Sequence, residues 1–296
     1  MNSPFSDALP ESWKFLSLSE ILQLPEQTEP PWRIKGLAAA GCGTQVSSQP
    51  HGMKSYSWLQ AMIEASLGLP IWSHFEPCGV RNTLFMETED PQWMVVQRTK
   101  MIATGLGIEY GEATDRCQFT MGHLGPFDLV QCRDQMKRTL DHYKPDVAVL
   151  STLQGLLGAR DWKEQSEMAE VNALLVQLSQ EYCPMVVITH SPQDKKQKRA
   201  AGTITQAANF QNILHYEKIT HGVKVRLDSK LGDPEQFRLK IINGQPDRIR
   251  FQYAMMTDPE NLKDYIATHP EESSAQIAEK FDCSKRWINS LKNSGK

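Results

Sequence analysis

Short apolar runs that alternate with longer amphipathic stretches limit the fold of this chain more than any other feature of its sequence. Two of these runs, Val147–Leu150 and Met185–Thr189, are apolar at nearly every position. Helical patterns precede them, over Leu129–Tyr143 and Gln165–Tyr182. Short strands that are buried on both faces and separated by helices form a parallel sheet with helices on both sides. The sequence therefore predicts an α/β fold with a mostly parallel sheet flanked by helices.

The pattern changes after residue 210 and again after residue 254. Segments that alternate apolar and polar residues predict antiparallel strands at the edge of the sheet: Ile213–Ile219, Val223–Leu227, Phe237–Ile242 and Ile249–Tyr253. Short helical segments then resemble a helix-turn-helix: Glu260–Thr268, Ser273–Phe281 and Ser284–Lys292. We therefore expect an N-terminal arm or linker over residues 1–32, an α/β core over 33–254 and a small helix-turn-helix domain over 255–296.

The composition is that of an ordinary globular protein. The 296 residues carry a formal net charge of −3, so any contact with nucleic acid must come from local basic patches. The six cysteines form no C-x-x-C pair and none is placed with histidine at zinc spacing, which argues against a zinc site or a disulfide framework. Residues 1–16 lack a signal-peptide pattern, and no run reaches the ~18 apolar residues of a membrane span, so we expect a cytoplasmic protein.

One segment, Ser48–Ser55, reads Ser-Gln-Pro-His-Gly-Met-Lys-Ser and joins a predicted strand to a predicted helix. A phosphate-binding loop needs glycines that let backbone N–H groups wrap the phosphates, a lysine for the β- and γ-phosphates and a hydroxyl for magnesium. Lys54 and Ser55 supply the last two, with Ser55 as the metal ligand. Serine and methionine replace the expected glycines, and the Met53 side chain is expected to intrude on the phosphates. The predicted nucleotide-binding residues are Ser48, Pro50, His51, Gly52, Met53, Lys54, Ser55 and Ser151.

Further segments keep a characteristic order around this loop. They are Pro31–Gly36, Gly68–Pro70, Thr83–Pro91, Pro145–Leu150 and Val186–His190. Together with the loop they resemble the RepA-like branch of the RecA-fold P-loop ATPases, the hexameric replicative helicases of plasmids and related mobile elements. The resemblance covers roughly residues 31–253. It implies a RecA-like core, ATP and Mg2+ as cofactors, homo-oligomeric assembly into a ring or filament, and single-stranded DNA in a central channel.

The resemblance also implies roles for residues outside the loop. It implies that Glu89 polarises the attacking water and that His190 senses the γ-phosphate. The position of the magnesium-organising aspartate holds Ser151, which has no carboxylate. In the pair of cations that should reach a neighbour's site, Asp228 replaces the lysine and Lys230 replaces the arginine. Lysine lacks the planar, bidentate donors of arginine, so it is a poor substitute.

These departures allow two interpretations. One or two motifs are misaligned, or hydrolysis has decayed while the fold was kept. The second is favoured, because a loop glycine, the metal carboxylate and the trans cations all belong to the apparatus of phosphoryl transfer. Glu89, His190 and Lys230 are the candidate catalytic residues. A solvated acidic turn is the alternative for Glu89, and a structural role at a strand end is the alternative for His190.

Basic segments predict contacts with DNA. The stretch after His190 places four cations close together, which suits a phosphate backbone. Another loop carries Trp162 among basic residues, where it could stack on a base. The predicted DNA-binding residues are Arg160, Lys163, Lys195, Lys196, Lys198, Arg199, Lys285, Arg286 and Asn289, the last three on a recognition helix. A solvated mobile loop and a protein-docking helical module are the alternatives.

Two functions are compatible with these patterns. The first is a DNA-binding, oligomeric assembly or recruitment factor of a plasmid or mobile element, with a degenerate ATP site, that acts with another protein in replication or recombination. The second is an active ATP-driven ring helicase or translocase on single-stranded DNA. A helix-turn-helix regulator with a ligand domain fits less well, because the core pattern is that of a RecA-like ATPase. The first function is our expectation.

Overall fold

The computed structural model describes residues 16–26, 28–108, 115–121, 129–157, 165–190, 209–245, 247–255, 259–281 and 285–294. Contacts divide the chain into two units, Met1–Pro31 and Trp32–Lys296. The first unit contains helix α1 (Leu18–Gln23). Ser17 begins this helix with a capping box, in which its side chain accepts a hydrogen bond from the Glu20 N–H and its own N–H donates to the Glu20 carboxylate.

The second unit contains the remaining elements of the described residues. Its strands are β1 (Trp32–Ile34), β2 (Ala38–Ala39), β3 (Gly43–Ser48), β4 (Thr83–Glu87), β5 (Cys117–Met121), β6 (Val147–Ser151), β7 (Met185–His190), β8 (Asn212–Ile219), β9 (Gly222–Ser229), β10 (Glu235–Gln245) and β11 (Arg248–Met255). Its helices are α2 (Lys54–Ser66), α3 (Gln92–Leu106), α4 (Leu129–Tyr143), α5 (Leu153–Leu157), α6 (Gln165–Glu181), α7 (Pro259–Thr268), α8 (Ser274–Lys280) and α9 (Lys285–Ser294).

Nine strands of the described residues form one sheet, in the order β11-β10-β9-β8-β3-β7-β6-β4-β5. From β8 to β5 all neighbouring strands are parallel, and β9, β10 and β11 extend the sheet with antiparallel pairs. Strands β1 and β2 form a separate antiparallel pair. The predicted architecture, a mostly parallel sheet flanked by helices with antiparallel strands at one edge, is confirmed.

Side chains of the parallel strands alternate between two hydrophobic clusters. Val147 and Val149 of β6 belong to the cluster that contains α2, whereas Ala148 and Leu150 belong to the cluster that contains α4 and α6. Each strand is therefore buried on both faces, which explains its continuous apolar sequence. The same alternation places Ser151, the last residue of β6, on the α2 side of the sheet.

The sequence patterns missed the β1–β2 pair, strand β5 and helix α5. Strand β5 lies at the edge of the sheet and is only partly covered, so its residues do not form a continuous apolar run. Helix α5 follows β6 closely and has only 5 residues, which is too short for a helical periodicity to be recognised. Among the described residues, none of the helices has both the length and the apolar character needed to cross a membrane.

Helices α7, α8 and α9 share a small core of their own. Leu262, Ile277 and Ile288, one from each helix, are fully buried in one cluster. A capping box begins α8, because the Ser273 N–H donates to the Gln276 side chain at 2.8 Å and the Gln276 N–H donates to the Ser273 hydroxyl at 3.3 Å. Residues 282–284 between α8 and α9 lie outside the described residues. The helix-turn-helix and the domain boundaries therefore stay predictions.

Candidate functional site

The last residues of four neighbouring parallel strands meet beside the N-terminus of α2. Ser48 ends β3 and is the register partner of His190, which ends β7. Glu87 ends β4 and is the register partner of Ser151, which ends β6. All four side chains lie on the α2 side of the sheet, because each is two residues beyond a member of the α2 cluster on its own strand. The carboxyl ends of parallel strands are where α/β proteins bind ligands.

Residues 49–53 form the loop between β3 and α2, and this loop contains left-handed residues. His51 and Met53 both have a φ of 61°, in the left-handed region, whereas the φ of Gly52 is not positive. Alternation of this kind turns successive backbone N–H groups toward one point, where they bind an anion. Left-handed backbone destabilises a non-glycine residue by about 1–2 kcal/mol. The loop therefore has left-handed residues of the kind found in anion-binding nests, while the Gly52 N–H donates to the Gln49 carbonyl at 3.2 Å.

Gly52 is the residue of this loop that must remain small. A Cβ at this position would lie 2.0 Å from the Ser48 hydroxyl oxygen and 3.0 Å from the Gln49 carbonyl oxygen. Met53, in contrast, is half-buried and packs its side chain against the cluster that contains α2. This packing directs the Met53 side chain toward the apolar core below the loop, and the expectation that it intrudes on the phosphates stays a prediction.

Lys54 is the first residue of α2 and is only 4% exposed. Its ammonium group donates to the Ser48 hydroxyl at 2.7 Å and to the Ser48 carbonyl at 3.1 Å, and it lies 3.4 Å from Nδ1 of His190. Burial lowers the pKa of Lys54 to about 8, and the negative charge of Glu89 partly opposes this shift. The lysine is thus folded onto Ser48, the residue that stands in place of the first glycine.

The hydroxyl groups of Ser55 and Ser151 lie 3.0 Å apart. The predicted metal ligand is therefore adjacent to the residue that replaces the metal-organising aspartate. In the part of the chain that the structure describes, no three side chains of the His, Cys, Asp and Glu types come together as a metal site. A magnesium ion at this position would depend on Ser55, a carboxylate nearby and the phosphates of a nucleotide.

Glu89 lies between two partners at the mouth of the site. The Thr152 hydroxyl donates to Oε1 of Glu89 at 2.5 Å, and Nε2 of His190 lies 3.9 Å from Oε2. His190 and Thr152 hold the pKa of the Glu89 carboxyl below its usual range, against the effect of its partial burial. Because a protonated lysine only donates, His190 accepts from Lys54 through Nδ1 and carries its proton on Nε2. Lys54, His190 and Glu89 therefore form one connected polar group.

Glu87 is a residue of this site that the sequence patterns missed. It is 3% exposed, and its Oε1 accepts hydrogen bonds from the N–H groups of Thr88, Glu89 and Asp90 at 3.0, 3.0 and 3.1 Å. Burial raises the pKa of the Glu87 carboxyl, although these donors favour its charged form. The signal in the sequence was an acidic residue directly after the apolar run of β4. Its carboxylate fixes the turn that carries Glu89.

Lys230, the predicted trans cation, does not lie near Lys54 of its own chain. Strand β9 is antiparallel to β8, so Ser229 at its end pairs with Asn212 at the start of β8. Asn212 in turn pairs with Thr44 near the start of β3. Lys230 therefore lies at the opposite edge of the sheet from the phosphate-binding loop.

Asp228 belongs to a polar network on the face of the sheet away from α2. Its Oδ2 lies 3.1 Å from Nε2 of His215 and 3.0 Å from the Arg226 guanidinium. Nδ1 of the same histidine lies 3.2 Å from the hydroxyl of Ser47, which is 2% exposed. Burial lowers the pKa of His215. The network links β9 to β3, and Asp228 is occupied within its own chain.

The structure describes only some of the predicted DNA-binding residues. Lys285, Arg286 and Asn289 are all exposed on α9, while Ile288 next to them is buried. The helix therefore directs these three polar side chains outward and its apolar side chain into the small core. The remaining predicted residues lie outside the described residues: Arg160, Lys163, Lys195, Lys196, Lys198 and Arg199.

Comparisons with known proteins agree with this arrangement. Residues 9–196 match the AAA_25 family model, described as an AAA domain. Among solved structures, the chain is similar to a KaiC-like protein from the hyperthermophilic archaeon Pyrococcus horikoshii OT3, with a TM-score of 0.50 and 10% identity over 75% of this chain and 95% of that chain. At this identity the likeness shows the fold alone, which is RecA-like. No curated protein matches the sequence at a significant level.

Proposed function

Because the chain belongs to the AAA-domain family, and so to the P-loop ATPases, we propose that it binds ATP at the loop between β3 and α2 and acts on DNA with weakened hydrolysis. In this proposal it is an oligomeric assembly or recruitment factor of the RepA-like branch, in replication or recombination of a plasmid or mobile element. One observation carries the proposal. Lys54 and Ser55 begin α2 directly after the loop that follows β3, and the Ser55 hydroxyl lies 3.0 Å from the hydroxyl of Ser151, a residue without a carboxylate at the end of β6.

The loop fits the phosphates of a nucleotide. Its left-handed residues, His51 and Met53, are of the kind found in anion-binding nests, and the N-terminus of α2 adds a favourable dipole. The ammonium group of Lys54 lies against the same loop and can exchange its contacts with Ser48 for phosphate oxygens. A bound magnesium ion would neutralise phosphate charge, and Ser55 is the hydroxyl that would hold it.

Weakened hydrolysis is supported by two side chains. Ser151 offers a hydroxyl but no negative charge to a divalent cation. Lys230 offers a point charge in place of the planar, bidentate donors of an arginine finger. An arginine finger increases the rate of hydrolysis by about 10³–10⁵. Lys230 also lies at the far edge of the sheet from Lys54, so it can reach only a nucleotide held by another copy of the chain. A catalytic role of Lys230 would therefore require a homo-oligomer.

DNA binding is supported by the outward side of α9. Lys285 and Arg286 place two positive charges at the start of the helix, and Asn289 follows one turn later on the exposed side. In a recognition helix, residues near the N-terminus contact the groove and the phosphates beside it. A DNA duplex would therefore contact the N-terminal half of α9.

Nucleotide binding and turnover test the first part of the proposal. We expect wild-type protein to bind a fluorescent ATP analogue, Lys54→Ala to lose that binding, and ATP turnover to stay near background with or without single-stranded DNA. Absence of nucleotide binding in the wild type would overturn the proposed site. Turnover that is stimulated by single-stranded DNA and vanishes in Lys54→Ala would overturn the degenerate function.

Turnover that is stimulated by single-stranded DNA and lost in Lys54→Ala would establish the second candidate function, an active ring helicase or translocase. The observation that favours it is the connected group of Lys54, His190 and Glu89. The Glu89 carboxylate is ionised, because His190 and Thr152 hold its pKa below the usual range, and it lies beside the group that contains Lys54, where it can accept a hydrogen bond from an attacking water. If the motor is active, Glu89→Gln removes turnover and leaves nucleotide binding unchanged.

DNA binding has a separate test. The double variant Lys285→Ala/Arg286→Ala should weaken binding to duplex DNA and reduce the slope of log affinity against log salt by about 1–2. Lys218→Ala, which removes an exposed lysine of β8, is the matched control and should leave both quantities unchanged. Equal salt slopes in the double variant and the wild type would contradict the assignment of α9.

A further inference from the structure

Glu87 and Ser151 are side by side at the carboxyl edge of the sheet. They are register partners on hydrogen-bonded parallel strands, which lie about 4.8 Å apart. Both side chains point to the α2 side, because Phe85 and Val149, two residues earlier on each strand, belong to the α2 cluster. The carboxylate of Glu87 therefore lies next to the position from which the metal-organising carboxylate is missing.

Only one oxygen of the Glu87 carboxylate is used by the turn that follows it. Oε1 accepts from the backbone N–H groups of Thr88, Glu89 and Asp90. Oε2 accepts no hydrogen bond within the described part of the chain. A carboxylate has about four lone-pair positions, so this second oxygen retains its capacity to bind a ligand.

The surroundings of Glu87 lack a positive charge. The residue is 3% exposed, and among the described residues no lysine, arginine or histidine forms an ion pair with it. The nearest charge that affects it is the carboxylate of Asp90, which is itself paired with Arg98. A buried carboxylate that has N–H donors but no counter-charge is less stable than one that also has a cation beside it.

The hydroxyl of Ser55 marks where such a cation would be. It lies 3.0 Å from the hydroxyl of Ser151, and Ser151 is the register partner of Glu87. Magnesium accepts a hydroxyl, a carboxylate and phosphate oxygens as ligands, and it needs few of them from the protein. Ser55 and Glu87 together supply one hydroxyl and one carboxylate on the same side of the sheet.

We propose that Glu87 is the carboxylate ligand of the divalent cation that accompanies the bound nucleotide, in place of the aspartate that Ser151 has replaced. The inference rests on the proposed nucleotide binding and names the residue that completes that site. Oε1 of Glu87 holds the turn, and Oε2 would hold the cation. The loss of a carboxylate at position 151 is thus offset by one on the adjacent strand.

Mn2+ in place of Mg2+ gives a direct readout, because electron paramagnetic resonance detects its binding without any turnover. Nucleotide affinity is measured with and without Mn2+ for the wild type, Glu87→Gln, Glu87→Gln/Ser151→Asp and Glu89→Gln. The glutamine at position 87 keeps an oxygen for the three N–H donors, so it preserves the turn, and it replaces the second oxygen by an uncharged NH2 group that cannot bind a cation.

We expect Mn2+ to tighten nucleotide binding to the wild type by about tenfold or more, and Glu87→Gln to lose this gain while keeping the metal-free affinity. Ser151→Asp should restore the gain in the double variant, and Glu89→Gln should retain it. The inference would be overturned if Mn2+ tightened nucleotide binding to Glu87→Gln as much as to the wild type, or if only Glu89→Gln lost this effect of Mn2+. Either result would leave the proposed nucleotide binding intact. A wild type that binds no nucleotide with or without Mn2+ would instead overturn the proposed function, and the inference with it.

Discussion

Lys54 donates a hydrogen bond of 2.7 Å to the hydroxyl of Ser48, the residue that stands at the first glycine position of the loop. The phosphate-binding lysine is therefore engaged within its own loop before any ligand arrives. A phosphate must displace this contact, so the same side chain that replaces a glycine also opposes nucleotide binding. Each part of the site can be tested against this arrangement.

Ser48→Ala removes the hydroxyl acceptor of Lys54. A hydrogen bond to a charged group contributes about 1.5–3 kcal/mol, so its removal from the free protein should raise nucleotide affinity by about 10- to 150-fold. Isothermal titration with an ATP analogue measures the change. A weaker affinity in Ser48→Ala would mean that the hydroxyl itself contacts the phosphates.

Gly52→Ala should distort the loop, because its Cβ would lie 2.0 Å from the Ser48 hydroxyl oxygen. We expect the free energy of unfolding to fall by about 1–3 kcal/mol and nucleotide binding to be lost. The matched control is Gly232→Ala, at a glycine with no heavy atom within 4 Å of the new Cβ, which should change stability by less than about 0.5 kcal/mol. Urea unfolding compares the two, and equal stabilities would contradict the close approach.

Nucleotide affinity should fall as the pH rises through about 8. Burial lowers the pKa of Lys54 to about 8 from an ordinary value of 10.5, so the ammonium group is lost above this pH and cannot pair with a phosphate. Arginine keeps its charge throughout this range, so any binding by Lys54→Arg should be independent of pH between 7 and about 9. Binding titrations at several pH values measure the nucleotide affinity of both proteins. A wild-type affinity that does not change with pH would exclude Lys54 as the titrating contact.

The same group affects stability in the opposite direction. Between pH 8 and 10.5 the unfolded chain binds a proton at Lys54 that the folded chain has released. The contribution of this lysine to the free energy of unfolding therefore rises with pH over that window. Lys54→Met should lack this rise, which urea unfolding at pH 8 and about 10 measures. Parallel pH profiles for the two proteins would contradict the lowered pKa.

Gln60 ties α2, the helix that begins at the site, to the edge strand β11. Its side chain donates to the Phe251 carbonyl and accepts from the Phe251 N–H, both at 2.7 Å, and it is fully buried. Gln60→Ala leaves two buried backbone groups unpaired and should lower the free energy of unfolding by about 2–4 kcal/mol. Gln252→Ala, on the same strand, is the control and should be nearly neutral. Similar losses for both variants would show that the pairing is unimportant.

Much of the fold followed from local pattern. The range predicted for one helix, Leu129–Tyr143, is the range observed, and the strands predicted after residue 210 are all present. Edge strand β5 was missed because a partly covered strand lacks the continuous apolar run that identified β6 and β7. Lys54 and Ser55 were identified because their spacing before a helix is itself the signal. Glu87 was not identified as a site residue. Its register partner, Ser151, lies on a strand far along the chain, and the residues next to Glu87 in sequence do not indicate that pairing.

The sequence by itself determined most strands and helices of the α/β core in their order, and it predicted that the loop between β3 and α2 binds phosphate although it lacks expected glycines. These properties depend on periodicity and spacing along the chain. Only the tertiary structure decided that Met53 packs into the core, that Lys54 is held by Ser48, that Lys230 lies at the far edge of the sheet, and that Glu87 stands beside Ser151. The physical reason is strand order and register, which join residues far apart in sequence and set which side chains share a face.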